Sequence, residues 1–361
     1  MPSLFGLSSC LRRLAALVCA AALWCVPQAQ AQAQAPAPLK LRVVGGLAGL
    51  SQFTQWEEPF WTKELARLSQ GRFTAEIVPF DRAAIPGVQM LQLLQLGVVP
   101  FGTALMSNIT AQYPQYAAPD LAGLNSDMGQ LRTSLSAYRP YLEKSLREVH
   151  GIETLAMYVY PAQVLFCKTA LGRLADLAGR RTRVSSSTQA DFVRALGAVP
   201  VHTGFAQIPE ALQSGGIDCA ITGAASGGSL GLHTLAKHLY AMPLTWGLAI
   251  FGANQAAWEA LPPELRALLR TELPKLEKTI WSEAERATAL GGHCNHSGPG
   301  CAAWRQSVTV VPMSAQDERL REEIFRTAVL PRWIQRCSVD CSDLWRRTIG
   351  AARGIALPAA P

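Results

Sequence analysis

Two arginines and a run of small polar residues mark the part of this chain that could recognise a charged group. Arg181 and Arg183 lie two positions apart in a short segment that reads as a strand, and one of them would be directed at whatever lies beyond the carboxyl end of that strand. Residues 222–226 form a small polar run directly after an apolar segment. Because a guanidinium presents parallel N–H donors, one of these arginines is suited to binding a carboxylate.

Three predicted strands and two predicted helices would position these residues. The strands comprise residues 180–184, 198–202 and 217–222. Residues 189–196 have helical spacing and end at Gly197, which suits a left-handed C-cap, and Pro209 fits the first turn of the next helix. In a parallel β-α-β-α-β unit, ligand-binding groups gather at the carboxyl ends of the strands. We therefore expect one of Arg181 or Arg183 to lie with Thr222 at one ligand-binding edge.

A similar pattern occurs earlier in the chain. Residues 94–102 and 212–220 both begin with Leu-Gln-x-Gly and continue into a segment that reads as a buried strand. Two such units predict two similar α/β lobes. Residues 103–108 of one lobe and 222–226 of the other would then face each other across a cleft.

Three spaced motifs carry a resemblance to a known family. They are DLAGRRTRV at residues 176–184, ALGAVPV at residues 195–201 and ALQSGGID at residues 211–218. Together they resemble the second-lobe signature of the TRAP-type periplasmic solute-binding proteins, the DctP family. The resemblance extends over about residues 39–290. It implies an α/β, two-lobed periplasmic-binding-protein-like fold with the ligand cleft between the lobes and a long helix after the second crossing.

The resemblance also implies roles for individual residues. Arg183 aligns with the arginine that clamps the ligand carboxylate in this family, and Thr222 stands where the family often has an asparagine. Many members carry a second arginine shortly after the first crossing, but residues 158–168, YVYPAQVLFCK, contain none. Gln163 or Tyr160 would then be neutral hydrogen-bond partners of the ligand.

The first lobe supplies four further candidates for contacting the ligand, namely Gln55, Trp56, Ser107 and Asn108. Two alternatives remain open. Arg183 could be a surface arginine paired with Asp176 or Glu210, and Trp56 could belong to the hydrophobic core. Because one arginine accompanies several aromatic candidates, a monocarboxylate with an apolar or aromatic body is favoured over a dicarboxylate. The aromatic candidates are Phe53, Trp56, Tyr160 and Trp246.

The chain divides into six predicted segments. They are a signal peptide (residues 1–31), a disordered lead-in (32–38), the first lobe (39–158), the second lobe (159–247), a return to the first lobe with a long helix (248–290) and a cysteine-containing C-terminal tail (291–361). Arg12 and Arg13 precede about 13 apolar residues, fewer than the roughly 20 needed to span a bilayer, and residues 29–31 offer a small-x-small cleavage site. We therefore expect export to the periplasm.

The charge balance bears on the class of partner. The full chain carries a formal net charge of +7, and because Arg12 and Arg13 lie in the predicted signal peptide, the remainder carries +5. This excess is small and scattered along the sequence. It argues against a nucleic-acid-binding surface and is compatible with attraction of anionic solutes.

Six cysteines lie outside the predicted signal peptide: Cys167, Cys219, Cys294, Cys301, Cys337 and Cys341. An oxidising compartment favours disulfides among the last four, either as the local pairs 294–301 and 337–341 or in a crossed arrangement. His293, His296 and neighbouring cysteines are an alternative metal site, which the irregular spacing disfavours. Cys167 and Cys219 lie in apolar segments and are expected to be buried free thiols.

The motifs of common hydrolases are absent from the sequence. Ser226 lies in GAASGG, which lacks the spacing of a G-x-S-x-G nucleophile elbow, and there is no H-E-x-x-H metalloprotease motif. His202 is expected to be a satisfied core or cleft-edge histidine. We predict no catalytic residues, no metal and no cofactor, and the expected partners are a small organic anion and the TRAP membrane permease subunits. A secreted hydrolase and a binding protein recruited as a sensor are the alternatives.

Overall fold

Eleven strands form in the part of the chain that the structure, a computed structural model, describes, namely residues 38–289, 307–337 and 339–357. The strands are β1 (Leu39–Gly45), β2 (Phe73–Pro79), β3 (Phe101–Leu105), β4 (Ile152–Val159), β5 (Gln163–Cys167), β6 (Arg181–Val184), β7 (Val199–His202), β8 (Cys219–Gly223), β9 (His238–Thr245), β10 (Leu248–Asn254) and β11 (Thr309–Pro312). The predicted signal peptide lies outside these described residues. None of the helices within them is long and apolar enough to cross a membrane.

Helices cover the sheets and connect the strands. The α-helices are Leu65–Leu68, Met90–Gln95, Met106–Ile109, Met128–His150, Ser187–Ala195, Ile208–Gln213, Ala224–Ser229, Gln255–Glu259, Pro263–Ala289, Ala315–Ile324, Leu330–Arg336, Cys341–Arg347 and Ile349–Arg353. Tighter or wider helical turns are Gln52–Glu57, Phe60–Glu64, Gly87–Gln89, Pro114–Asp120, Leu174–Leu177, Leu232–Thr234 and Phe325–Val329.

The strands form two mixed sheets, which confirms the predicted two-lobed α/β fold. The first sheet has the order β2-β1-β3-β10-β4, and the second has the order β11-β9-β5-β8-β6-β7. In the second sheet, β6 runs parallel to both β7 and β8, as the β-α-β-α-β pattern predicts. The strands of the first sheet come from residues 39–159 and 248–254. The exact lobe boundaries at residues 158, 247 and 290 remain a prediction.

The repeated Leu-Gln-x-Gly pattern has the same backbone geometry at both places. Gly97 and Gly215 adopt left-handed conformations, with φ of 71° and 75°. The amide of Val99 then bonds back to the helix before it, at 3.1 Å from the Leu93 carbonyl oxygen. Ile217 makes the equivalent bond to Ala211, also at 3.1 Å. Each helix therefore passes into its strand, β3 or β8, through the same turn.

Two short chain crossings connect the sheets, one between β4 and β5 and the other between β9 and β10. The crossings are bonded to each other, because the amide of Tyr160 donates to the Gly247 carbonyl oxygen at 2.9 Å. Asp120 holds the second crossing by accepting bonds from the amides of Trp246 and Gly247 at 3.0 and 2.8 Å. Gly247 has φ of 78°, a conformation that other residues rarely adopt. The crossings therefore form one bonded junction beside the space between the sheets.

The helix Met128–His150 continues without a break through Pro140. A proline inside a helix costs about 3 kcal/mol through a lost hydrogen bond and a steric clash. Leu135, Tyr138 and Leu142 are each at most 4% exposed on the same helix. Burial of each such side chain contributes about 1.5–3 kcal/mol, which together outweighs the proline. The longest helix, Pro263–Ala289, likewise continues through Pro274.

The described part of the C-terminal segment is integrated into the fold. Strand β11 pairs in parallel with β9. Asp317 accepts bonds from the Tyr240 hydroxyl at 2.6 Å and from the Leu174 amide at 3.1 Å. Farther along, the Trp333 indole donates to the Pro114 carbonyl oxygen at 2.7 Å. This segment therefore contacts both the second sheet and the helical region that follows β3.

The prediction of free thiols at Cys167 and Cys219 is wrong, because the two residues form a disulfide. They lie directly opposite each other on the antiparallel strands β5 and β8, and this register brings their Cα atoms to 4.1 Å. Cys337 and Cys341 also form a disulfide, which is the local pairing considered for them. Residues 293–301, with their two cysteines and two histidines, lie outside the described residues.

Candidate ligand-binding site

A cleft of about 640 Å³ lies where residues of both sheets meet. Residues at the carboxyl end of β3 and just beyond it line one side, and residues at the end of β8 line the other. These residues are Leu105, Ser107, Asn108, Thr222, Gly223 and Ser226. The two predicted strand ends therefore face one cleft.

Arg183 is almost completely buried at this cleft, with 5% of its surface exposed. Its Nε donates to the Thr203 carbonyl oxygen at 3.0 Å, and its Nη1 donates to the Ile221 carbonyl oxygen at 2.7 Å. Its Nη2 has no hydrogen-bond partner in the described part of the chain. Two backbone carbonyls thus hold the guanidinium in place and leave donor capacity for a ligand.

The charge of Arg183 has no acidic partner within 4.0 Å among the described residues. The alternative pairing with Asp176 or Glu210 does not form, since Asp176 instead binds Arg173. Burial lowers the pKa of Arg183 to about 10, so the side chain remains charged at neutral pH. Arg181, the first residue of β6, is exposed and pairs with Asp218 at 2.7 Å. Arg183 stands one residue before the carboxyl end of β6, and of the two arginines only Arg183 lines the cleft.

Gln163, Tyr160 and Thr222 also line the cleft. The Gln163 side-chain oxygen accepts a bond from Gln189 at 3.0 Å. The amide nitrogen of Asn108 lies against the backbone of Gly87, so a side chain at position 87 would displace it. Six of the eight predicted contact residues therefore line one cleft.

Gln55 and Trp56 do not line the cleft. Trp56 is partly buried against the hydrophobic core, and Gln55 is exposed on the helical turn Gln52–Glu57. Phe53 and Trp246, the other aromatic candidates outside the cleft, are buried with 3% and 1% exposure. The sequence showed that these residues are aromatic, but it could not show whether their side chains face the cleft or the hydrophobic core.

Two phenylalanines that were not predicted supply aromatic surface to the cleft. Phe80 directly follows β2, and Phe205 lies in the loop after β7. Both follow the carboxyl ends of strands, so the rule that selected Arg183 and Thr222 would also have found them. His202, at the end of β7, lies at the cleft edge, where burial and nearby arginines lower its pKa.

A buried carboxyl group lies beneath the cleft. Glu57 is fully buried and accepts bonds from the Gly46 amide at 2.9 Å and from the Thr103 hydroxyl at 3.2 Å. Burial raises its pKa from the ordinary value of 4.5 to about 7. Its second oxygen and the Tyr160 hydroxyl oxygen have no hydrogen-bond partner in the described part of the chain. A Cβ at Gly46 would lie 3.0 Å from this hydroxyl and 3.1 Å from Oε1 of Glu57, so a larger residue there would crowd both groups.

The described residues contain no group of three or more histidine, cysteine or acidic side chains that could hold a metal ion. The cleft does contain His202 together with Ser107, Ser185 and Ser226. Within the described ranges, no hydrogen bond joins His202 to a serine or to a carboxylate. The groups that converge on the cleft are instead the guanidinium, amides and hydroxyls, arranged around apolar side chains.

Solved structures of similar fold come from several bacteria. An extracytoplasmic solute receptor from Bordetella pertussis, DctP7, which binds pyroglutamic acid, has 22% sequence identity and a TM-score of 0.76, covering 87% of this chain and 99% of its own. A TRAP periplasmic solute-binding protein from Desulfovibrio salexigens with bound orotic acid has 16% identity and a TM-score of 0.76, covering 87% and 98%. A third, from Shewanella oneidensis with bound succinate, has 19% identity and a TM-score of 0.74, covering 88% and 99%.

These structures share the fold of this protein, and the sequence itself shows the family to which it belongs. Residues 53–289 match the DctP family, described as bacterial extracellular solute-binding protein, family 7. The match includes both crossings, β6 with Arg183, and the longest helix. The chain therefore belongs to the DctP family of bacterial extracellular solute-binding proteins.

Proposed function

We propose that this protein captures a small organic acid in the periplasm, with Arg183 as the carboxylate partner, and delivers it unchanged to a TRAP-type membrane permease. One observation carries the proposal. Arg183 is a buried, charged guanidinium with no acidic partner among the described residues, and it opens onto a cleft of about 640 Å³. Cavities of about 300–1,000 Å³ are typical of small-molecule sites.

The absence of a protein counter-ion within the described residues gives the site its preference for anions. A buried charge is unfavourable unless it is paired and hydrogen-bonded. A ligand carboxylate satisfies Arg183 with charge-assisted hydrogen bonds and displaces water from the cleft. The ligands of the three solved relatives, pyroglutamic acid, orotic acid and succinate, are all organic acids, which supports this class of solute.

The rest of the cleft favours a monocarboxylate with an apolar or aromatic body. Arg183 is the only arginine or lysine among the described residues that line it, and Asp81 contributes an acidic group. A second carboxylate would therefore lack a cationic partner from this lining. Apolar surface comes from Leu47, Leu50, Phe80, Ile85, Leu105, Phe205 and Leu248.

Binding would act through closure of the two lobes. The ligand contacts residues that follow β3 and residues at the end of β8, so a conformation in which both sides touch the ligand is stabilised over an open one. Closure also removes water and strengthens the contact with Arg183. The junction at Tyr160 and Gly247 is where the backbone would have to bend.

The test is a thermal-shift screen of the mature protein against organic acids, with sugars and amino acids included. A ligand at one hundred times its Kd stabilises the folded state by about 2.7 kcal/mol. Acids with one carboxylate should raise Tm, and mass spectrometry should recover them unchanged. A Tm increase confined to sugars, or chemical conversion of the added acid, would overturn the proposal.

The matched variants are Arg183→Ala and Arg181→Ala. Arg183→Ala should weaken acid binding by about 2–4 kcal/mol, the usual effect of removing one partner of a buried charge pair. Arg181→Ala changes an exposed arginine at the start of the same strand, outside the cleft lining, and this variant should bind the acid with unchanged affinity. If calorimetry showed that the Arg183→Ala variant binds the acid as tightly as the parent protein, Arg183 would not be a ligand-binding residue.

A further inference from the structure

Gln189 connects three parts of the second lobe through its side-chain amide. It lies in the helix Ser187–Ala195 and is 1% exposed. Its Oε1 accepts bonds from the Ser185 amide at 2.8 Å and from the Ser185 hydroxyl at 3.1 Å. Its Nε2 donates to Gln163 Oε1 at 3.0 Å and to Thr245 Oγ1 at 2.8 Å. All three partners stand at strand ends or directly after a strand.

These bonds fix first the orientation of the Gln189 side-chain amide and then, through it, that of the Gln163 side-chain amide. A backbone N–H can only donate, so the Ser185 amide requires an oxygen opposite it and sets Oε1 of Gln189. The remaining Nε2 of Gln189 can only donate and therefore requires the oxygen of Gln163. The orientation of Gln163 thus follows from a backbone group two hydrogen bonds away.

The Gln163 amide nitrogen is consequently left for the cleft. It lies against Gly247, where a Cβ would be only 2.8 Å away, and both residues line the cleft. This nitrogen has no hydrogen-bond partner in the described part of the chain. The cleft therefore presents N–H donors from Gln163 in addition to those of Arg183.

We propose that Gln189 is a positioning residue that keeps the N–H donors of Gln163 toward the cleft, so that the site selects organic acids that carry a second hydrogen-bond acceptor. The inference rests on the proposed function. An oxo group accepts from Gln163, whereas a methylene at the same place leaves these donors unpaired. The preferred solutes are therefore oxo acids or lactam acids over plain carboxylic acids of the same shape.

The experiment compares matched ligands that differ in one acceptor. The pairs are 2-oxopentanoate and 4-oxopentanoate, each against pentanoate, and 3-oxocyclopentanecarboxylate against cyclopentanecarboxylate. In the parent protein, at least one oxo acid should bind about tenfold more tightly than its match, the value of one well-formed hydrogen bond. Calorimetry on the mature protein gives each ratio.

Two substitutions at Gln189 separate positioning from simple packing. Gln189→Met keeps a similar length but cannot donate to Gln163, so the ratio should fall to within about twofold. Gln189→Glu should lose the preference at pH 9, when an ionised carboxylate can only accept. It should regain the preference at lower pH, because a protonated carboxyl can donate to Gln163 as the amide does. Gln213→Met, an exposed position outside the cleft, is the control.

The outcomes distinguish this inference from the function on which it rests. A tenfold ratio that survives in Gln189→Met, and in Gln189→Glu at every pH, would overturn the positioning role. If the Gln189 variants lost affinity equally for all acids, Gln189 would have a packing role, and the positioning role would again be overturned. Plain acids that bind the parent as tightly as oxo acids would overturn the selectivity alone, whereas failure of every acid to bind would overturn the proposed function as well.

Discussion

Asp191 and Arg183 are both almost completely buried in the second lobe, and they have different surroundings. The carboxylate of Asp191 lies within 4.0 Å of three arginines, Arg194, Arg332 and Arg336. Arg183 has backbone carbonyls around it and no carboxylate in the described residues. Since a buried charge is stable only when it is compensated, the charge of Asp191 is satisfied within the fold. The charge of Arg183 has no such compensation among the described residues, which agrees with the proposal that a ligand carboxylate pairs with it.

A prediction at the scale of single residues concerns the buried carboxyl group of Glu57. Between pH 4.5 and about 7 the folded protein keeps a proton on Glu57 that the unfolded chain has lost. Stability therefore falls as pH rises through this window and this contribution is constant above it. Glu57→Gln removes the effect, so the variant should gain stability over the parent, reaching about 3 kcal/mol above pH 7. Urea unfolding at several pH values measures the difference.

The control for that experiment is Glu58→Gln, which removes one negative charge at the exposed neighbouring position. The surroundings of position 57 should also accommodate a glutamine side chain. Its oxygen can accept from Gly46 and Thr103, and its NH₂ can donate toward the unpaired Tyr160 hydroxyl oxygen. A stability difference between Glu57→Gln and the parent that does not change with pH would contradict the assignment.

At the scale of elements, the second sheet is held by a covalent bond between its central strands. The Cys167–Cys219 disulfide joins β5 to β8, and β8 carries Thr222 to the cleft. The same strand also pairs with β6, which carries Arg183. The disulfide therefore restrains the strands that bring two of the candidate contact residues together.

The two described disulfides should differ in their effect on stability. Their sequence separations are 52 for Cys167–Cys219 and 4 for Cys337–Cys341. Loop-closure entropy gives a loss of about 4 kcal/mol on replacing the first pair by alanine and about 2 kcal/mol for the second. Guanidinium unfolding of the two double variants, purified under oxidising conditions, measures both. A larger loss for the 337–341 pair would contradict this ranking.

At the scale of the whole molecule, the ligand would lie between two sheets that are joined by a bonded junction. Asp120 accepts the amides of Trp246 and Gly247 there, and burial raises the pKa of this carboxyl from 3.8 to about 7. The proposed closure would require rotation about this junction. The C-terminal segment contacts both sides and has to accommodate the same rotation.

Small-angle X-ray scattering tests closure directly. Saturation with a bound monocarboxylate should reduce the radius of gyration, because ligand contacts from both sides favour the compact conformation. The Arg183→Ala variant at the same acid concentration should show no reduction, since it lacks the charged contact. An unchanged radius of gyration in the saturated parent protein would contradict lobe closure.

The sequence by itself determined the parts of this protein that depend on neighbouring residues. The β-α-β-α-β unit, the repeated Leu-Gln-x-Gly turn and the placement of Arg183 and Thr222 at strand ends follow from local spacing. Local spacing was sufficient because backbone conformation and side-chain alternation are set within a few residues. The same motifs, through their resemblance to the DctP family, indicated the cleft.

Only the tertiary structure decided which distant residues meet. Cys167 and Cys219 pair because the register of β5 against β8 places them opposite each other, and register depends on packing across the sheet. Trp56 packs against the core instead of lining the cleft for a similar reason, since nothing in its spacing specifies the face it presents. The direction of the Gln163 amide depends on Gln189, 26 positions away. Such contacts are set by how the elements pack together, which no local pattern records.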